Sequence, residues 1–588
     1  MLSVRAEGLL HRFNEASVLD AADVHVATRL ADRVQEDSEV ARLALALAVR
    51  SVRHGSVVLD LDKLDDISSD DETVDARTLP WPDDWSALDD SPLIEGPLHR
   101  EGSLLWLDAY WRQEVFVAED LLRRIELPVS VDRAKLATAL ARLWPGDRPD
   151  DQRLAAAVCA LSQVSVLGGG PGTGKTTTVA RLLVALKEAI AGPLRIALAA
   201  PTGRASARLA ASLLREDEVL TDADRDFLGT LSSATLHRLL GIRRGSARVW
   251  HDEGNRLPVD VLVVDEASMV SLSLFVKVLA ALRPGARLIL VGDPDQLASV
   301  EAGAVLSDLM SDGRSEARVQ ELAAVVPHDP ESPAPGSRLR DGIALLTTSR
   351  RYETAGPIDL LAQAIREGDQ DLVVERLAGV GFHEVADDAD VPVSLLRPRV
   401  TAQLATVIEA ARAGDAAAAL DALASHRLLC AHRRGPRGVS TWSDLIHAWL
   451  LQDVPGIALR RDGHFAGQPL LVTANDYDNA LWNGDTGVVI ERDGELVAAF
   501  DDRVIGMGSL GAVVPMYAMT VHRAQGSQFP SVTVLLPPAT SPLGTRETLY
   551  TAVTRAEREV TVIGSEPGVR AAVDRPVQRA SGLQRRLA

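Results

Sequence analysis

The sequence predicts an α/β protein built on parallel sheets with helices on both faces. Three observations predict it. From Asp151 to about Asp308, four apolar, β-branched runs (QVSVLG, LRIALAA, DVLVVDE and ARLILVGD) alternate with helical stretches, and strands joined by helical crossovers pair in parallel. The first run closes on GGPGTGKT, Gly169 to Thr176, and the chain continues as TTTVARLLVALKEAI with apolar residues at helical spacing. A second α/β region opens near Leu345 and is interrupted, between about Gly463 and Met516, by short strands with turn signals, NGDTG and ERDGEL.

Strand, glycine loop and helix together make a phosphate cradle. Gly169, Gly172 and Gly174 let backbone N–H groups turn inward on phosphates, and the helix start adds its positive end. Gly170, Pro171 and Thr173 complete the loop and Thr177 follows it. Lys175 reaches the β and γ phosphates of a nucleoside triphosphate such as ATP, and the Thr176 hydroxyl is a ligand for Mg²⁺.

Before this loop, residues 1–110 show helical patterns such as ADRVQEDSEVARLALALAVRSV, with no catalytic cluster, and then a Pro- and Asp-rich link, PWPDDW. A small, mainly helical module is expected there, with the first core domain over 111–310. The polar, proline-rich segment from Ser311 reads as a flexible connector over 311–344. The second core domain follows over 345–575, with a β-barrel insertion at about 463–516 and a tail from 576 to 588. Within that insertion Asp493-Gly494 is a two-residue hairpin loop.

Composition excludes several classes. With 588 residues and 46% hydrophobic side chains, several globular cores are expected. No apolar run reaches the ~18–20 residues of a membrane span, and MLSVRAEGLLHRF lacks the apolar centre of a secretory signal, so a cytoplasmic protein is expected. Cys159 and Cys430 lie in apolar surroundings far apart in sequence and read as buried thiols. The net charge of −20 argues against a surface that coats nucleic acid throughout and leaves room for a narrow basic channel. Much of the acidic excess lies from Asp60 to Asp75, a solvated loop.

Two further strand ends add chemistry. VLVVDEAS closes on Asp265 and Glu266: beside a P-loop, the first carboxylate joins the Mg²⁺ shell and its neighbour can take a proton from the attacking water. LILVGDPDQLASV places Gln296 where an amide can sense the γ phosphate and orient that water.

APTGRASARL, ATLHRLLG, LTTSRRY, MTVHRAQGSQF and LYTAVTRA follow in order, and with GGPGTGKTTT, VVDEASM and VGDPDQLASV the set resembles superfamily 1 helicases. The resemblance spans roughly residues 100 to 570 and is strongest to the RecD family, helicase subunits of the RecBCD enzyme, exodeoxyribonuclease V. It implies two RecA-like P-loop NTPase domains, a small helical N-terminal domain and an SH3-like barrel insertion. It also assigns residues by position. Gln152 matches the glutamine that reads adenine. Arg351, with its neighbour Arg350 as the alternative, and Arg555 match arginines that reach the γ phosphate from the second domain, where a planar guanidinium meets developing charge. Pro201, Thr202, Thr235 and His237 resemble the single-strand contacts of the first domain. Thr520, His522 and Gln525 resemble those of the second, with Gln525 also near nucleotide. The insertion GIRRGSARVWHDEGNRLP, about 241–258, is arginine-rich around Trp250 and fits either a duplex-splitting hairpin or a solvated one.

The resemblance further implies 5′-to-3′ motion, action on single-stranded DNA and double-strand ends, and partners RecB, which carries the nuclease, and RecC, on which the N-terminal domain docks. About 150 residues precede the P-loop, which favours this subunit form over the stand-alone RecD-type helicases with longer N-terminal regions. A DNA-stimulated ATPase switch and an RNA helicase remain open alternatives at this point.

Overall fold

The computed structural model describes the chain except residues 1–2, 4–5, 68, 70–73, 95, 216, 243–247, 311–313, 330–338, 349–355, 458, 461–462, 477, 502, 578 and 588. The apolar spacing of the first hundred residues forms three helices, Gly8–Glu15, Ala21–Val34 and Glu39–Arg53. Asp20 starts the second with a reciprocal capping box to Asp23, and Ser38 caps the third through the Ala41 N–H. They bury Phe13, Val24, Leu43 and Leu47 in a core of their own. This module is not purely helical. It also contains a three-stranded antiparallel sheet, β1 (Val58–Asp60), β2 (Leu98–Glu101) and β3 (Leu104–Leu107), in the order β1-β3-β2. Strands of three or four residues are too short to display a period.

The first core sheet has six parallel strands. They are β4 (Val164–Gly169), β5 (Ile196–Ala200), β6 (Ser233–Thr235), β7 (Val261–Val264), β8 (Arg287–Gly292) and β9 (Ile343–Leu346), in the order β6-β5-β7-β8-β4-β9. Successive residues feed cores on opposite faces: Leu167, Val263 and Ile289 on one, Val166, Leu262 and Leu288 on the other. Burial on both faces is why these strands read as unbroken apolar runs. β9 corrects the expected boundary at 345, because it pairs with β4 in register Val166↔Ile343 to Gly169↔Leu346 and so belongs to the first sheet. The expected connector is also partly ordered. Glu316–Val325 is a helix that buries Leu322 and Val325 in the first core, and Asp329 pairs with buried Arg153 at 2.6 Å. Its polar composition hid that apolar spacing.

The second core sheet is parallel too: β10 (Phe382–Glu384), β11 (His426–Cys430), β17 (Met519–Thr520), β18 (Phe529–Leu535) and β19 (Ala556–Gly564), in the order β10-β19-β18-β11-β17. Between β11 and β17 the chain forms a five-stranded antiparallel sheet: β12 (Pro469–Val472), β13 (Thr486–Arg492), β14 (Glu495–Phe500), β15 (Arg503–Gly506) and β16 (Val513–Pro515). Leu470, Val489 and Ala498 form its separate core. Asp493 and Gly494 connect β13 to β14 with φ of 53° and 78°, the two positive values of a tight hairpin turn. Both cysteines are buried, which pushes the Cys159 thiol up to about 11 and the Cys430 thiol up to about 12.

The expected tail does not hang free. Ala580 exchanges bonds with Ser56 and Val57 beside β1, and the helix Leu583–Leu587 buries both its leucines in the first core. The segment 575–587 thus runs from the second domain back to the first.

Candidate active site

Loops leave parallel strands at their C-terminal ends, and the sequence-predicted residues collect there. β4 turns through Gly172 and Gly174, with φ of 81° and 85°, into the helix Lys175–Ala189. Lys175 Nζ donates to the Gly169 and Gly170 carbonyls, which hold the ammonium against the loop. Gly170, Pro171, Gly172, Gly174, Lys175, Thr176 and Thr177 line a cavity of about 910 Å³. Gln152, Asp265, Glu266, Gln296 and, from the second sheet, Arg555 line the same cavity. Thr173 turns inward instead, donating to Gly170 O at 2.8 Å. Gln152 also packs on the loop: its Nε2 donates to Thr173 O at 3.0 Å, and a Cβ at Gly174 would lie 2.1 Å from that nitrogen. Its amide therefore braces the P-loop.

The acid pair ends β7. Asp265 is anchored by its N–H to Ala199 O at 2.8 Å, and Glu266 adopts φ 49°, strained for a side chain of its size. Burial, then the neighbouring Glu266 charge, pushes the Asp265 carboxyl up to about 7, while Lys175 pulls it down. An acid pair short of positive charge, on a cavity that Lys175 and Thr176 also line, fits a triphosphate that carries a divalent cation. Among the described residues no cluster of three or more His, Cys, Asp or Glu could hold a metal ion.

At the end of β8, Gln296 Nε2 donates to buried Asp293 at 2.8 Å, while Gln296 Oε1 is buried without a partner. Arg555 follows the helix Arg546–Thr554 and is almost fully buried. Its Nε donates to Thr551 O at 3.2 Å and its Nη1 to Ser527 O at 3.1 Å. Burial lowers its proton affinity and the Glu266 charge raises it. Both bonds go to neutral carbonyls, which hold the guanidinium in one orientation while its charge remains to be met from the cleft. Arg350 and Arg351 lie outside the described residues.

Sequence reasoning missed the groups that close the cleft from both sides. Arg208, in the ASARL run, lines the cavity and donates to Gln528 Oε1 at 2.7 Å across the domain boundary. Arg558 lines the cavity from β19. Arg208 lies within a recognised motif but away from its signature position, and Arg558 lies two residues beyond the end of another, so no local signal marked either.

The expected strand-contact residues sit at a sheet edge or on the strand next to it. Pro201 and Thr202 follow β5, Thr235 ends its neighbour β6, and Thr520 ends edge strand β17. Each threonine caps a helical turn: Thr202 accepts from the Ala205 N–H at 3.2 Å, Thr235 from Arg238 at 3.2 Å and Thr520 from Arg523 at 3.4 Å. A hydroxyl that accepts an amide still has its own hydrogen to give a phosphate. His237 follows on an exposed turn, and burial, then nearby Arg579, lowers the His522 pKa and favours a neutral ring. Gln525 is buried, and its Nε2 donates to Leu297 O of the first domain. Trp482 of the β12–β13 loop packs on Gly203, where a Cβ would lie 2.4 Å from its Cγ, so the insertion covers the helix start that Thr202 caps. Of the expected duplex-splitting hairpin, residues 243–247 lie outside the described residues, and 248–258 form a loop without strand pairing, with Trp250 66% exposed.

Two parallel sheets that share one nucleotide cleft, one holding the P-loop and the other reaching in with an arginine, are the layout of a superfamily 1 helicase motor. The comparisons narrow this. An AAA domain family matches residues 152–302, the UvrD-like helicase C-terminal domain matches 515–563, and the RecBCD enzyme subunit RecD N-terminal domain matches 15–105. RecBCD enzyme subunit RecD of Mycobacterium tuberculosis is 47% identical over 100% of this chain and 98% of its own length. The subunit from Haemophilus influenzae is 31% identical over 82% and 79%. ATP-dependent RecD2 DNA helicase of Deinococcus radiodurans is 29% identical over 71% of this chain and 50% of its own. This chain belongs to the RecD family of RecBCD enzyme subunits.

Proposed function

We propose that the chain is the ATP-dependent DNA helicase subunit of a RecBCD-type helicase–nuclease. It translocates 5′ to 3′ on single-stranded DNA from double-strand ends, in recombinational repair, with RecB and RecC as partners. The observation that carries the motor reading is that Arg555, from the second sheet, lines the cavity built by the P-loop of the first. In this reading ATP lies on the P-loop amides and Lys175, and Thr176 with Asp265 holds Mg²⁺, which supplies positive charge to the phosphates when bound. Glu266 takes the proton of the attacking water and Gln296 orients it. Arg351 and Arg555 meet the charge that develops on the γ phosphate. Closing on ATP and opening after hydrolysis would shift Thr520 and His522 relative to Pro201, Thr202, Thr235 and His237, and alternating grips become steps along the strand.

Family membership supports the partners, and the match over 15–105 supports an N-terminal domain that docks on RecC. The higher identity to the RecD subunit, 47% against 29% for RecD2, favours the subunit over the stand-alone form. Polarity rests on likeness to the 5′-to-3′ branch, whose insertion is a small β-barrel. A cytoplasmic location follows from that role; among the described residues no helix is long and apolar enough to cross a membrane.

The test is to purify the complex with Lys175→Gln beside the natural chain. The substitution is expected to abolish this subunit's ATPase and its unwinding of 5′-tailed duplexes while RecB and RecC still co-purify. ATPase that persists without strand separation under any partner condition would make the chain a switch, and stronger stimulation by RNA than by DNA would change the substrate.

A further inference from the structure

The turn that carries Gln296 belongs to the first domain, yet the second domain holds it. Leu297 buries its side chain among second-domain residues, Ala524 and Leu549 among them. Its N–H donates to Thr551 Oγ1 at 2.9 Å and its carbonyl accepts from Gln525. Asp293, where the turn begins, takes two donors on one oxygen: the Tyr550 hydroxyl at 3.2 Å and Gln296 Nε2 at 2.8 Å, bonded to the same Oδ2. Tyr550 and Asp293 are both buried. The same hydroxyl borders the P-loop, since a Cβ at Gly170 would lie 3.1 Å from it.

A glutamine amide offers a donor at one end and an acceptor at the other, and a fixed acceptor at one end decides which way it points. Asp293 ties the NH₂ end of Gln296, so its carbonyl Oε1 is left buried and unpartnered. Turned to the cavity that Gln296 lines, a carbonyl would accept a hydrogen bond from water, whereas an NH₂ group could not. Tyr550 stands on the helix Arg546–Thr554 that Arg555 ends. Any movement of that helix toward or away from the cleft therefore moves both residues.

We propose that Tyr550 is a positioning residue: by donating to Asp293 across the domain boundary, it sets the Gln296 amide with its carbonyl toward the attacking water. Gln296 is then correctly oriented only while the second domain is engaged, which ties water activation to cleft closure. The inference rests on the reading of Gln296 as the water-orienting group.

The assay is single-stranded-DNA-stimulated ATP hydrolysis by the assembled complex, with the RecB motor silenced by its own P-loop substitution. Tyr550→Phe keeps the ring and removes the donor. It is expected to lower kcat about tenfold, the worth of one hydrogen bond to a charged group, with KM for ATP within about twofold. In a Gln296→Ala background the same change is expected to cost nothing further, because the two act through one amide. An unchanged kcat in Tyr550→Phe, or losses that multiply in the double variant, would overturn the role of Tyr550 while the motor reading stands. Hydrolysis that survives Lys175→Gln would overturn the motor reading and the role of Tyr550 with it.

Discussion

The backbone N–H of Gly582 donates to Glu114 Oε1 at 2.9 Å, tying the end of the chain to the helix Asp108–Ile125 that leads into the first core domain. Ser581 Oγ donates to the same oxygen at 2.8 Å and Trp106 Nε1 to Oε2 at 2.9 Å, so this fully buried carboxyl is well satisfied. The segment leaves the second sheet and is held, within a few residues, by the first domain. It therefore restrains the two motor domains on one side of their cleft.

Gly582 has no room for a side chain. A Cβ would lie 2.5 Å from Trp106 Cζ2 and 2.8 Å from Glu114 Oε2. Gly582→Ala is expected to destabilise the protein by about 1–3 kcal/mol through this overpacking. The measurement is the urea midpoint, and a midpoint equal to that of the natural chain would mean that the tail is not docked in solution.

Arg555 tests whether the cleft needs a guanidinium or merely a positive charge. Its two carbonyl bonds use Nε and Nη1 and hold the planar group in one orientation, a geometry that a lysine ammonium does not reproduce. Arg555→Ala and Arg555→Lys are both expected to lower DNA-stimulated kcat by about 10³-fold, the scale of an arginine that meets transferring phosphate. Recovery of a tenth or more of the activity by lysine would show that a point charge suffices.

The legible parts of this protein are those where chemistry or backbone geometry leaves few choices. Gly172 and Gly174 stand where φ is positive, and Asp493-Gly494 marks a turn that needs two such residues. Strands β4, β7 and β8 are buried on both faces and so appear as plain apolar runs. The illegible parts depend on distant partners. Leu297 meets Thr551, and Tyr550 meets Asp293, across more than 250 positions (separations of 254 and 257), and neither contact leaves a local trace. Leu583 and Leu587 are two apolar residues in a polar end, too few to show a period. The helix Glu316–Val325 was masked by the polar and proline-rich residues around it.

Asp308 makes the docking of the tail sensitive to pH. It lies on the short helix Val305–Leu309, where burial pushes its carboxyl up to about 7 and the Glu114 carboxyl adds to that shift. The folded chain therefore keeps a proton on Asp308 to near neutrality, whereas an unfolded aspartate releases it near pH ~3.9. Between those values the folded state binds more protons, so this group's contribution to stability falls as pH rises from about 4 to 7 and then stays at its lowest. Asp308→Asn removes the ionisation. It is expected to raise the thermal midpoint relative to the natural chain, by more at pH 8 than at pH 5. An equal change at both pH values would show that Asp308 titrates as an ordinary surface carboxylate.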